Sequence, residues 1–198
     1  VTYFDDVSDD NKTAANKVVG NMYKALALPQ LIGMIGLTSS NRGTILFSEM
    51  GEAIGKSGVP YVTDMSVNNL FAGLPNVFST RPSQEEGNAP VVIDFIRASG
   101  FRRVALIVNT EAVYSKTFGD AVAAGLGAEV EVVANEPVPE PSRRALDADA
   151  LGRAVAKIGE VEPDLVVVAV GSRRTSLVLD ALKAGGKTPP VMMMGSLE

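Results

Sequence analysis

The 198-residue chain contains no Cys and no His, and its 23 acidic against 18 basic side chains leave a formal net charge of −5 at pH 7. Those absences exclude disulfide frames, thiolate and imidazole metal sites and hydrolases built on a His base, and the negative balance argues against a nucleic-acid partner. An apolar fraction of 46% and a charged fraction of 21% describe an ordinary globular chain, long enough for one large domain or two small ones and without an apolar run that could cross a bilayer.

Residues 1–4 read as a short strand turned by Asp5-Asp6, with no leader peptide ahead of it. The chain is therefore cytoplasmic, a mature exported form, or a piece of something larger. Ala14, Val18, Met22 and Leu26 then recur every four residues, with Ala15 and Val19 beside them, which predicts an amphipathic helix. Apolar runs at 31–37, 59–63 and 77–80 predict strands, and a helix carrying Ile45, Leu46 and Met50 separates the first two. Residues 81–90 are polar and turn-rich and are the expected crossing between two lobes; a new helix follows on Val91, Val92, Phe95 and Ile96. Strands are next expected at 104–109, 130–134, 165–171 and 191–194, alternating with helices on Phe118, Val122 and Leu126 and on Leu151, Val155 and Ile158. Three prolines in 136–142 read as an extended connection, and Asp147 and Asp149 as helix N-capping. Gly58, Gly100, Gly127 and Gly185 stand where helices must stop, the position that favours a left-handed residue. Most of the strands are too continuously apolar for a half-exposed sheet, so burial on both faces is expected. Strand–helix alternation of this kind predicts an α/β chain with mostly parallel, doubly wound sheets.

In an open parallel sheet, ligands bind beyond the carboxyl ends of the strands. Four loops meet that rule. Residues 36–43 run through Leu37, Thr38, Ser39, Ser40 and Asn41 into a helix start, where hydroxyls and unpaired N–H groups can hold a carboxylate; the plainer reading is that Ser39 or Ser40 caps the helix. Residues 64–69 offer backbone groups and Ser66, residues 109–115 contain Tyr114, and residues 171–175 place Ser172 and Arg173 after a strongly apolar strand. Tyr114 also reads as half-buried packing. Arg173-Arg174 also reads as a solvated helix start, although a cation there opposes the helix dipole and leaves room for a compensating anion. Glycine-rich nucleotide loops are missing. No catalytic residue, metal ligand or cofactor is assigned, and the chain reads as a binder rather than an enzyme.

At these loops the sequence resembles the type I periplasmic binding proteins, in the branched-chain amino-acid group that feeds ATP-driven importers. Phe4-Asp5-Asp6 with the Ala14-Ala15 helix, the strand ending in a serine loop at 32–40, Gly58-Val59-Pro60-Tyr61-Val62, and Val77-Phe78-Ser79-Thr80-Arg81-Pro82 match family segments in order. Val104 to Val108 with Tyr114, then Glu162-Pro163-Asp164 before the strand at 165–171, complete the series. The ordered set covers essentially the whole chain but only a little over half of a typical member. The resemblance therefore implies an incomplete excerpt of two Rossmann-like lobes, 1–82 and 83–198.

The resemblance implies a solute-binding component that closes two lobes around a small amino-acid-like or organic-acid ligand and delivers it to a membrane permease, in the periplasm or another extracytoplasmic space. It assigns Ser40, with Ser39 beside it, to the ligand carboxylate. Met65, Ser66 and Val67 supply a backbone stretch, Tyr114 an aromatic wall, and Ser172 or Arg173 a second wall position. Val67 stands where amino-acid binders of the family place a Thr, and only Glu198 lies near the expected ammonium partner at Leu197. Both departures weaken an α-amino-acid assignment and leave room for a carboxylate-bearing ligand that Arg173 could serve. The alternative is a small-molecule-sensing regulatory domain of the same fold.

Overall fold

Helices and strands alternate along the chain in the order the apolar periodicity dictates. The computed structural model describes residues 1–4, 11–67, 70–140, 146–186 and 189–194, and the side chains of 11–15 and 172–173 lie outside that description. The elements are α1 (Asn11–Leu26), β1 (Met34–Ile35), α2 (Ser40–Ser57), β2 (Tyr61–Thr63), β3 (Val77–Ser79), α3 (Ala89–Ala98), β4 (Arg103–Val108), α4 (Val113–Leu126), β5 (Glu131–Pro137), α5 (Ala148–Val161), β6 (Leu165–Ala169), α6 (Ser172–Ala184) and β7 (Val191–Met193). The chain divides into two compact units, Val1–Ser83 and Gln84–Glu198.

In the first unit, β1, β2 and β3 form a parallel sheet in that order. Tyr61, Thr63 and Val77 point to one face and are buried, Tyr61 and Val77 against Val18 and Val19 of α1 and Leu46, Phe47, Met50 and Ile54 of α2. The other face carries a cross-strand row, Ile35–Val62–Phe78, set by the register Ile35↔Val62↔Phe78. Ile35 is 90% and Phe78 51% exposed. The expectation of strands buried on both faces is therefore corrected for this unit: among the described residues, helices cover one face only. Residues 1–4 form no strand, and Asp5-Asp6 lie outside the described residues.

The second unit has a four-stranded parallel sheet, β5-β4-β6-β7. Here side-chain alternation feeds two cores. Val104, Leu106, Val108, Leu165, Val167 and Ala169 pack with α3 and α4, while Ala105, Ile107, Val166 and Val168 pack with α5 and α6. A layer on each face is why β4 and β6 are apolar without interruption. Pro137 ends β5 without disrupting the sheet, because β5 is an edge strand. A π-helical turn, Gln84–Asn88, leads into α3. The buried face of α3 is Ala89, Ile93 and Ile96, leaving Val91 and Phe95, both expected inside, 68% and 49% exposed.

Local stop signals follow the sequence closely. Asp147 caps α5 by accepting the Ala150 N–H at 2.7 Å. Gly58 closes α2 at φ 63°. Gly185 is not the left-handed residue after α6; its φ is −74° and Gly186 takes the positive angle instead.

Candidate functional site

Each unit gathers polar groups beyond the carboxyl ends of its strands, and each set is described within its own unit.

In the first unit the chain leaves β1 through Gly36 and Leu37, and Leu37 sits at φ 64°, a conformation costing a non-glycine residue about 1–2 kcal/mol. Thr63, at the end of β2 and 1% exposed, holds this loop. Its hydroxyl donates to the Leu37 carbonyl at 2.6 Å and accepts the Met65 N–H at 3.3 Å. The exit of β3 adds a second clamp, in which Ser79 Oγ donates to the Met65 carbonyl at 2.6 Å. Arg81 donates through Nε and Nη2 to the Asp64 carbonyl at 2.9 and 2.6 Å, and its Nε lies 2.9 Å from Asp64 Oδ1. Thr80 Oγ1 donates to the same carboxylate at 2.7 Å.

Ser39 is the N-cap of α2, accepting the Arg42 N–H at 3.5 Å. Ser40 is the first helical residue and is 2% exposed. Its hydroxyl is thus placed by the helix start without serving as the cap. Met65, Ser66 and Val67 are all buried, and both backbone groups of Met65 are already engaged by Thr63 and Ser79. The structure brings Ser39, Ser40 and the 64–67 stretch to the same edge of the sheet, joined through Leu37 and Thr63.

In the second unit, Asn109 follows β4, Glu140 lies beyond β5, and Gly171 follows β6 as the N-cap of α6. Asn109 is 1% exposed. Its N–H donates to the Ala169 carbonyl at 2.9 Å, its Nδ2 to Glu140 Oε2 at 2.7 Å, and its Oδ1 accepts the Glu111 N–H at 2.9 Å. Arg174 Nη2 pairs with Glu140 Oε1, the two side chains being 17% and 13% exposed. Tyr114 is 8% exposed in the first turn of α4. A Cβ on Gly171 would stand 3.0 Å from Arg174 Nη1 and 3.3 Å from the Tyr114 hydroxyl, so the guanidinium and the phenol flank this glycine. Ser172 and Arg173 open α6, but their side chains lie outside the described residues.

The sequence alone does not single out Asn109, Glu140 or Arg174. Beside Arg173, Arg174 reads as a solvated helix start, and its adverse position relative to the helix dipole is the available signal; the compensating anion is Glu140. Among the described residues no group of three or more His, Cys, Asp or Glu could hold a metal ion, and no helix is long and apolar enough to cross a membrane.

The family model described as periplasmic binding protein matches residues 9–198. No curated protein matches the sequence. The structure is similar to an extracellular ligand-binding receptor from Rhodopseudomonas palustris HaA2, with a TM-score of 0.74 and 19% identity over 94% of this chain and 49% of that one. It is also similar to a solute binding protein from R. palustris in complex with 4-hydroxybenzoate, with a TM-score of 0.71 and 15% identity over 98% of this chain and 50% of that one. An ABC transporter substrate-binding protein from Desulfitobacterium hafniense in complex with Leu gives a TM-score of 0.70 and 16% identity over 94% and 53% of the two chains. The chain thus spans about half the length of the structures it matches, and at these identities the likeness is one of fold.

Proposed function

The chain belongs to the periplasmic binding protein family and has its type I α/β fold, and we propose from that premise that it is the solute-binding part of an ATP-driven importer. The solute is a small carboxylate, an amino acid or an organic acid such as 4-hydroxybenzoate, and the partner is a membrane permease met in an extracytoplasmic space. The two units are the lobes of the binding protein, and each carries its own set of candidate solute-contacting loops.

One observation carries this reading. In each unit the polar side chains cluster beyond the carboxyl ends of parallel strands, where ligands of open α/β sheets bind, and in the first unit that edge includes the start of the 18-residue helix α2. A helix N-terminus offers N–H groups and about half a positive charge to an anion. Ser40 is assigned to the carboxylate, with Ser39 retained as the cap. Ser66 and Val67 line the site from the β2 exit, with Met65, whose backbone groups are held by Thr63 and Ser79, fixing that stretch. Tyr114 forms the aromatic wall, and Ser172 or Arg173 the second wall position.

A thermal-shift screen of L-leucine, other amino acids, 4-hydroxybenzoate and aliphatic acids tests the reading. A ligand that binds the folded state alone raises the melting temperature by mass action. A rise with at least one carboxylate and none with its amide supports the proposal; a flat response to the whole panel removes it.

A further inference from the structure

We infer that Glu140 determines charge selectivity at the strand exits of the second unit, by neutralising Arg174 and so denying a second anionic group its counterion. The inference rests on the solute-binding reading and deepens it: the solute is a carboxylate whose remaining part carries no further negative charge.

The geometry is specific to three adjacent strands. The sheet order β5-β4-β6 puts Glu140, Asn109 and Gly171 at neighbouring strand exits, although Glu140 and Arg174 are 34 residues apart in sequence. Both carboxylate oxygens of Glu140 are taken, Oε1 by Arg174 Nη2 and Oε2 by Asn109 Nδ2 at 2.7 Å. Neither partner of the ion pair is more than 17% exposed, so solvent screens it little compared with a surface pair. The guanidinium also lies near the residue assigned as the aromatic wall, since Arg174 Nη1 and the Tyr114 hydroxyl flank Gly171. Guanidinium is the side chain best matched to a carboxylate in shape and charge. Paired with Glu140, the guanidinium has its charge offset; without that carboxylate, it loses this counterion.

Glu140→Gln keeps the shape and removes the anion, and Glu140→Gln/Arg174→Gln removes both charges. Two arms read the result. Sulfate against chloride at matched ionic strength needs no solute: an additional rise in melting temperature of about 2–4 °C is expected for Glu140→Gln over both the wild type and the double variant. In the second arm, calorimetry compares 4-hydroxybenzoate with terephthalate, which replaces the phenol by a second carboxylate. The wild type should bind terephthalate at least about tenfold more weakly, and Glu140→Gln should recover about that tenfold, leaving 4-hydroxybenzoate within about threefold.

No gain in the sulfate arm, or a gain that persists without Arg174, overturns the inference. Should the sulfate arm behave as stated while neither aromatic acid nor any other acid of the screening panel binds the wild type, the solute reading falls and the neutralisation of Arg174 by Glu140 stands. If Glu140→Gln fails to fold and the double variant folds, the buried charge balance is demonstrated directly; if neither folds, Glu140 holds the loops in another way and the inference is lost.

Discussion

The thioether of Met65, just beyond β2, occupies the space that a Cβ on Gly43 would need in the first turns of α2. Met65 is fully buried, so the contact locks the β2 exit loop onto the helix whose start is assigned to the solute. Gly43→Ala would normally gain about 1 kcal/mol of helix propensity. Overpacking against Met65 should reverse that sign and destabilise by about 1–3 kcal/mol. Urea unfolding decides between them, and the cost should shrink when the same substitution is made in a Met65→Ala background. A stabilised Gly43→Ala would contradict the packing described.

The two serines at the α2 start should separate in experiment. Ser39→Ala removes a cap and is expected to cost about 1 kcal/mol of stability with a small effect on binding. Ser40→Ala should weaken solute binding by about 1–3 kcal/mol, because a buried acceptor on the solute loses its donor. Parallel melts and calorimetric titrations test this, and equal effects of both substitutions on affinity would return Ser40 to a helix-start role.

Leu37 tests the strain in the β1 exit loop. Alanine and glycine at this position both delete the side chain, but only glycine escapes the penalty of φ 64°. Leu37→Gly should therefore be more stable than Leu37→Ala by about 1 kcal/mol, measured by chemical unfolding. The opposite order would mean that the loop relaxes to an ordinary conformation.

Ser115, in the first turn of α4, is 0% exposed, and its hydroxyl has no hydrogen-bond partner among the described residues. Ser115→Ala removes that desolvated group and should be neutral or stabilising by up to about 1 kcal/mol. A loss above that size in a thermal melt would show that the hydroxyl is satisfied in solution.

Much of the second unit was legible because its central strands, β4 and β6, are buried on both faces. The run 165–169 is apolar at every position, and all five residues are buried. The same kind of run misleads at Ile35, since apolarity does not say whether a layer lies on that face; in the first unit the described helices lie on one side of the sheet. Phe95 misled for a similar reason, as α3 buries the stripe through Ile93 and Ile96. Helix caps were readable where one side chain acts locally, as at Asp147. The Glu140–Arg174 pair and the seat of Met65 on Gly43 were not, because strand order and loop closure bring those partners together.

Solute binding is the central claim, and calorimetric titration of the protein with L-leucine and 4-hydroxybenzoate tests it most directly. The account predicts saturable binding of at least one carboxylate at one solute per chain, weakened by Ser40→Ala. A folded protein that takes up neither of these solutes nor any other acid of the screening panel would contradict it.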